Sequence, residues 1–361
     1  MPVESSRLYP LTVKDIARET AEAISVAFAV TPDMENLYAY QHGQYITVEV
    51  DIDGEKLRRA YSIVSGLDDG ELRIGVKKTN GGLVSSFLND NLKIGDTVYV
   101  MPPLGRFTAP LNVDAQQNHL FIAAGSGITP ILSIMSTVLS REPHSRALLI
   151  YGNKRQADIM FLETIEQMKN TYLDRLALVH VLSRESGDIE ILNGRIDMER
   201  VGAILKAMMP AASISHVFMC GPGTMLDEVQ NGLGSLGVNP QKIHREIFTP
   251  GEGRHGTPVT VGKGERTEGE AEAELILDGR RHQITVKKDE TVIEAAHRAG
   301  IEAPYSCKGG MCCTCRARVV EGAVEMQTNY SLEPWELEAG FVLTCQAKPK
   351  SEKLVIDYDA R

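Results

Sequence analysis

Three rhythms of apolar and polar positions succeed one another along the chain. In the first hundred or so residues short runs alternate, as in Tyr45-Ile46-Thr47-Val48-Glu49-Val50, Leu72-Arg73-Ile74-Gly75-Val76 and Thr97-Val98-Tyr99-Val100, with Asp53-Gly54 and Asp69-Gly70 between them. A period of two punctuated by turn pairs predicts a small antiparallel β-barrel, assigned to residues 1–112. From His119 to about Phe248 apolar strands alternate with helical stretches, the strand candidates being Leu120 to Ala124, Ala147 to Tyr151, Ala177 to Leu182 and His216 to Met219. That alternation predicts a parallel α/β sheet with helical crossovers over residues 113–249. Residues 250–271, with Pro250-Gly251-Glu252-Gly253 and Gly262-Lys263-Gly264-Glu265, offer little that packs and read as a flexible, charged linker.

A third compact segment, 272–361, opens with two alternating runs around Asp278-Gly279, which predicts a hairpin. Thr291-Val292-Ile293-Glu294 is a capping box and Gly300 a helix stop, so a short helix delivers the chain to a cysteine-rich loop. Hairpin, helix and loop together suggest a β-grasp module. No internal repeat is present.

The 361 residues, 43% of them hydrophobic, suffice for two or three cored domains, and the net charge of −10 argues against a nucleic-acid partner. Leu120 to Ser140 contains no charged residue, but Gly125-Ser126-Gly127 and Thr129-Pro130 break it into strand, loop and helix, unlike a membrane span. The N-terminus shows no apolar signal region, so a reducing cytoplasmic compartment is expected.

Composition leaves the chemistry open; the cysteines narrow it. Cys307, Cys312, Cys315 and Cys345 are spaced C-x4-C-x2-C-x29-C, the ligand pattern of a plant-type [2Fe–2S] cluster, a one-electron carrier. Structural zinc sites instead pair two short knuckles, and a disulfide framework belongs to secreted chains. Cys313 adds a fifth thiol in the loop. Its use would change the spacing to C-x5-C and C-x-C, and alternate ligation stays open.

Upstream, Arg59-Ala60-Tyr61-Ser62 follows a strand, and Gly81-Gly82-Leu83-Val84-Ser85-Ser86 opens a short helix. Together they provide a guanidinium for a phosphate, an aromatic face, a hydroxyl and free helix N-terminal amides; separately each also suits an ordinary surface arginine beside a core tyrosine. Gly125-Ser126-Gly127-Ile128-Thr129-Pro130 is a strand-to-helix turn of the kind that holds a dinucleotide diphosphate, with Thr129 expected as N-cap and Pro130 as the first helical residue. Ser183-Arg184, at a strand end, offers a hydroxyl and a guanidinium for a 2′-phosphate, which favours NADPH over NADH although Glu185 is adjacent. Arg195 is a second candidate for that phosphate.

The R-x-Y-S and G-G-x-x-S segments, followed in order by these motifs, resemble the ferredoxin–NADP⁺ reductase superfamily carrying a C-terminal plant-type ferredoxin. The resemblance implies that Arg59 and the Gly82, Leu83, Val84 and Ser85 backbone hold the pyrophosphate of FAD, that Tyr61 packs on the isoalloxazine and that Ser62 hydrogen-bonds near flavin N5. It implies that Gly125, Gly127, Thr129 and Pro130 cradle the nicotinamide dinucleotide, and that Cys220 with Gly221 and Pro222 lies beside the nicotinamide. It also implies that Phe248 covers a flavin face and that Glu246 carries a proton. A hydride brings two electrons and the cluster takes one, so the flavin, with three redox states, belongs between them.

The domain order resembles the reductase components of bacterial oxygenases. Tyr9-Pro10-Leu11-Thr12-Val13 and the Cys-Cys-Thr-Cys loop are most similar to the reductases of phenylacetyl-CoA epoxidases, whose acceptor is a di-iron oxygenase subunit. Reductases of aromatic or steroid hydroxylases are the nearest alternative. A redox sensor without turnover, or a colourless zinc-stapled module, would be the readings from other classes.

Overall fold

The computed structural model describes residues 7–249, 258–264 and 270–360. These group into two compact units, a larger one of residues 10–57 and 61–249 and a smaller one of residues 258–264 and 270–360, with which 7–9 and 58–60 also cluster.

In the larger unit the alternating runs become β1 (Tyr9–Thr20), β2 (Ala23–Ala29), β3 (Tyr45–Ile52), β4 (Glu55–Ser62), β5 (Leu72–Lys77) and β6 (Thr97–Leu104), with the short helices α1 (Glu35–Tyr38) and α2 (Leu83–Asp90) in the connections. The strand order is β4-β3-β6-β1-β2-β5, and an antiparallel bridge Ile63↔Ile74 joins the two outer strands. That bridge closes the sheet into a barrel and leaves no long edge unpaired. Ile46, Val48, Ile74 and Val100 fill its interior at 1% exposure or less.

The second half of this unit comprises β7 (Asn118–Ala124), α3 (Ile128–Arg141), β8 (Arg146–Asn153), α4 (Leu162–Thr171), β9 (Leu176–Leu182), α5 (Met198–Met208), β10 (His216–Pro222), α6 (Gly223–Ser235) and β11 (Ile243–Thr249). Its sheet is parallel throughout, in the order β11-β10-β7-β8-β9. Leu120, Phe121, Ile122 and Ala123 of the central strand are completely buried, as a strand covered on both faces requires. Because the chain runs outward from β7 in one direction and then returns to its other side, a crevice opens at the carboxyl ends of β7 and β10.

The smaller unit holds β12 (Val259–Gly262), β13 (Ala271–Leu277), β14 (Arg280–Val286), α7 (Val292–Arg298), β15 (Arg316–Glu321), β16 (Ala323–Met326), α8 (Pro334–Glu338), β17 (Phe341–Leu343), β18 (Ala347–Pro349) and β19 (Lys353–Asp357). One sheet runs β14-β13-β19-β15-β17, with β13 and β19 parallel, and a second runs β12-β16-β18. The Asp278-Gly279 hairpin and the Thr291/Glu294 capping box are both present.

The expectation of an unbroken linker over 250–271 does not hold at Val259–Gly262. These four residues pair antiparallel with Ala323–Met326, and Val261 enters the core of the small unit at 6% exposure. Val-Thr-Val is a competent β segment whose apolar alternate residues find a partner strand that local composition does not reveal. Of the rest of that stretch, 250–257 and 265–269 lie outside the described residues, and Ala271 already opens β13. No helix among the described residues is long and apolar enough to cross a membrane.

Candidate redox centre

The cysteine loop follows α7, and its sulfurs are gathered as two pairs. Cys307 shares a hydrogen bond with Cys312, and Cys315 shares one with Cys345, which the turn between β17 and β18 brings in; Cys315 also faces Cys312, and Cys345 faces Cys307. Among the described residues no three His, Cys, Asp or Glu side chains surround one point as a single metal ion needs. Two and two is the donor arrangement of a two-iron cluster, whereas zinc takes four around one centre.

Backbone amides surround the sulfurs. Gly309 and Met311 donate to Cys307 Sγ at 3.3 and 3.5 Å, and the Cys307 amide donates to Cys312 Sγ at 3.4 Å. Thr314 Oγ1 lies 3.2 Å from Cys312 Sγ. The Cys307 thiol is pulled down to about 5, first by its bond with Cys312 and then by those amides, and Cys345 is lowered by Cys315. Cys312 and Cys315, which hold the shared protons in buried surroundings, are pushed well up. Ser306 Oγ is buried next to Cys307 with no hydrogen-bond partner among the described residues, an orphaned donor that an inorganic sulfide would satisfy, so the residues fit the cluster. Cys313 adopts φ +54° and its thiol donates to Ser331 Oγ at 3.1 Å.

In the barrel, β4 ends at Tyr61, half-buried, and Ser62, 5% exposed, while Arg59 on the same strand is exposed. Gly82 is the N-cap of α2, and a Cβ there would fall 2.1 Å from Thr79 Oγ1 and 2.6 Å from Ser85 Oγ. A larger residue here would displace those hydroxyls, and the amides of Leu83, Val84 and Ser85 stand at the open helix end, which fits a pyrophosphate. The Ser85 hydroxyl is committed to the turn, donating to Gly82 O at 3.2 Å and lying 3.1 Å from Thr79 Oγ1, so only its amide faces outward.

At the crevice, the expected capping of α3 is corrected. The helix begins at Ile128 with Gly127 as N-cap, which makes Pro130 the third helical residue. Thr129 is 1% exposed, its hydroxyl donates to Ser126 O at 3.0 Å, and its methyl packs on Gly75 of β5. Packing against the barrel, invisible to a local motif, took Thr129 inside. Gly125 has φ +55°, and its carbonyl accepts from Tyr151 OH at 3.0 Å, a support the sequence did not disclose. Asn153, 8% exposed at the end of β8, has a side-chain amide with no partner among the described residues, which fits a polar ligand in the crevice.

Ser183 and Arg184 are exposed beyond β9; their amides bond Asn153 O and Lys154 O at 3.0 and 2.8 Å, and the Ser183 hydroxyl lies 3.3 Å from Asn153 O. Lys154 and Arg155 thereby join the same edge, and the Leu182↔Asn193 bridge brings the segment of exposed Arg195 to the end of β9. Glu185 is turned to the Gln156 amide at 2.8 Å. The four cations Lys154, Arg155, Arg184 and Arg195 gather on this edge, and the neighbouring Glu185 is occupied, which suits an anion.

Cys220 is wholly buried on β10, in register with Ala123 on one side and Glu246 on the other, and burial, then Glu246, push its thiol well up. Gly221 and Pro222 complete the strand end, and Phe248 on β11 is half-buried against the core of the parallel sheet. Glu246 as a residue is half-buried, but its Oε2 is sealed from solvent without a partner, and burial raises the carboxyl to about 7. Between pH 4.5 and 7 the folded chain thus binds a proton the unfolded chain has released, so stability falls as pH rises through that window. Glu246→Gln is expected to remove this part of the slope, on the order of 2 kcal/mol between its ends, in urea midpoints measured from pH 4 to 8.

Comparison with known proteins agrees with this geometry. Residues 10–109 match the oxidoreductase FAD-binding domain, 121–231 the oxidoreductase NAD-binding domain and 275–350 the 2Fe-2S iron-sulfur cluster binding domain. Over 98% of both chains it is 39% identical to one of the subunits of 1,2-phenylacetyl-CoA epoxidase from Escherichia coli K12. It is 34% identical to the ferredoxin reductase component of 3-ketosteroid-9-alpha-monooxygenase from Rhodococcus rhodochrous, covering 98% of this chain and 97% of that one. In fold it is similar to phthalate dioxygenase reductase, with a TM-score of 0.59 at 22% identity over 97% of this chain and 98% of that one. The chain belongs to the family of oxygenase reductase components, oxidoreductases in which FAD-binding, NAD-binding and [2Fe–2S] modules follow one another in a single polypeptide.

Proposed function

We propose that this reductase draws electrons from NADPH and delivers them to a di-iron oxygenase that acts on phenylacetyl-CoA. Bound FAD supplies the division of a hydride into single electrons, and the bound [2Fe–2S] cluster supplies their outlet. The residues do the rest. Arg59 and the amides of Gly82 to Ser85 hold the flavin diphosphate, Tyr61 and Phe248 sandwich its ring, and Ser62 orients its edge. Gly125, Gly127, Thr129 and Pro130 shape the turn for the dinucleotide, Ser183 and Arg184 hold its 2′-phosphate, and Gly221 and Pro222 keep the strand end small. Cys220 borders the nicotinamide, and Glu246, its proton held to about 7, sits beside that thiol as a proton carrier. Cys307, Cys312, Cys315 and Cys345 ligate the cluster, and a reducing cytoplasm suits a chain whose cysteines form no disulfide.

The observation that carries the reading is the gathering of four thiols into two pairs, in a chain that also holds a nucleotide crevice. Identity along the whole chain to a component of an epoxidase supports the acceptor class, and the steroid monooxygenase relative supports a second reading, another hydroxylase as acceptor. The test is an anaerobic titration with NADPH and with NADH, following flavin bleaching and cluster reduction separately. NADPH is expected to reduce both at stoichiometric amounts. Arg184→Ala is expected to weaken NADPH about 10- to 100-fold and leave NADH unchanged, since a charge-assisted hydrogen bond contributes roughly 1.5–3 kcal/mol. If neither dinucleotide bleaches the flavin, the reading is wrong; equal losses for both would remove Arg184 from the 2′-phosphate.

A further inference from the structure

Just after β19 the small unit holds a residue that the centre described above does not use. Tyr358 follows β19, and its neighbours fix where it stands. Its amide donates to Ile276 O at 2.9 Å. The next residue, Asp359, accepts from the amides of Asp278 and Gly279 at 2.8 and 2.7 Å, which ties the chain end to the β13–β14 turn. The antiparallel register Arg318↔Asp357 and Val319↔Ile356 carries Tyr358 level with Ala317, two residues beyond Cys315.

The ring packs against the hydrophobic cluster that contains both Cys315 and Cys345. Its hydroxyl is sealed from solvent and has no hydrogen-bond partner among the described residues. The Thr344 side chain stands near it but outside hydrogen-bond geometry, and the thiols of Cys315 and Cys345 act on it through charge. Thr344 Oγ1 gives its own proton to Cys315 O at 2.9 Å, so it could serve the phenol only as an acceptor, and it lies outside hydrogen-bond geometry for that. A phenylalanine would fill the same space without burying an unpaired oxygen, so the hydroxyl points to an acceptor that arrives with the cluster. Burial raises the phenol far above its ordinary value, which keeps it a donor.

We propose that Tyr358 is a positioning residue for electron transfer, its hydroxyl donating a hydrogen bond to the sulfur edge formed by Cys315 and Cys345 and holding the cluster's reduction potential up. Reduction adds negative charge to the sulfurs, so a donor there favours the reduced state. The proton stays on the phenol oxygen throughout. The proposal rests on the four-cysteine ligation proposed above.

The test uses the full, cluster-loaded chain and its Tyr358→Phe variant. The potential of the cluster is measured by dye-mediated titration followed by electron paramagnetic resonance. Loss of the donor is expected to shift the one-electron equilibrium about tenfold toward the oxidised cluster, which is 59 mV lower. The flavin potential and NADPH-driven flavin bleaching are expected to stay unchanged. Replacement of Tyr358 by 3-fluorotyrosine, a stronger donor of nearly the same size, is expected to shift the potential upward and keeps the question answerable should Tyr358→Phe load poorly. A cluster that assembles in these variants with the parent's potential, whatever the melting temperature, overturns the role of Tyr358. A parent chain that binds no cluster overturns the ligation itself.

Discussion

Cys345→Ala is expected to yield a yellow protein that lacks the brown cluster, keeps NADPH-driven flavin bleaching, and reduces cytochrome c or an oxygenase at least about a hundredfold more slowly. The reason is geometric. Cys307, Cys312 and Cys315 share one loop, whereas Cys345 reaches the group only because β17 and β18 turn beneath it, and its pairing with Cys315 leaves that half of the site with one thiol when it is removed. Iron and acid-labile sulfide content, measured anaerobically beside Cys313→Ala, decides the assignment. Cys313, whose thiol donates to Ser331 and whose use would break the C-x4-C-x2-C spacing, is expected to be dispensable. Retention of the cluster in Cys345→Ala together with its loss in Cys313→Ala would transfer the fourth ligand to Cys313.

Gly127→Ala is expected to slow flavin reduction by NADPH by about two orders of magnitude while flavin and cluster contents stay near those of the parent. A Cβ at this position would fall 2.2 Å from the Cys220 carbonyl oxygen and 2.6 Å from its carbon. Both are backbone atoms, so no rotamer relieves the clash, and overpacking of this kind costs roughly 1–3 kcal/mol. The more telling consequence is displacement. The dinucleotide turn and the Cys220 strand end must part, and a misplacement of about 1 Å between reacting groups costs on the order of a hundredfold in rate. Stopped-flow bleaching measures it. Gly234→Ala, where nothing lies within 4 Å of the added carbon, is the control and is expected to leave the rate alone. An unaltered rate in Gly127→Ala would show that the turn and Cys220 need not meet for hydride transfer.

Much of the architecture was legible because it follows from local rules. The alternating runs of the barrel, the apolar runs of β7 to β10 and the capping box at Thr291 each carry their own signal within about ten residues. Where reading failed, a distant partner had decided. Thr129 looks like a helix cap, but its methyl belongs to the contact with Gly75, about fifty residues earlier in the chain. Val259–Gly262 looks like linker until Ala323–Met326 supplies the strand it pairs with.

The same division holds at the redox centre. The order of the modules, the kinds of ligand they hold and the four cysteines that can grip iron are written in residue types and their spacing, because short loops and helix ends impose their geometry locally. The pairing of those thiols, the contact of Cys313 with Ser331, the burial that raises the Glu246 carboxyl to about 7, the close approach of Gly127 to Cys220 and the seating of the Tyr358 hydroxyl were decided by tertiary structure alone. Each depends on which atoms from remote segments exclude water from, or press against, a given group, and one-dimensional spacing carries no such information.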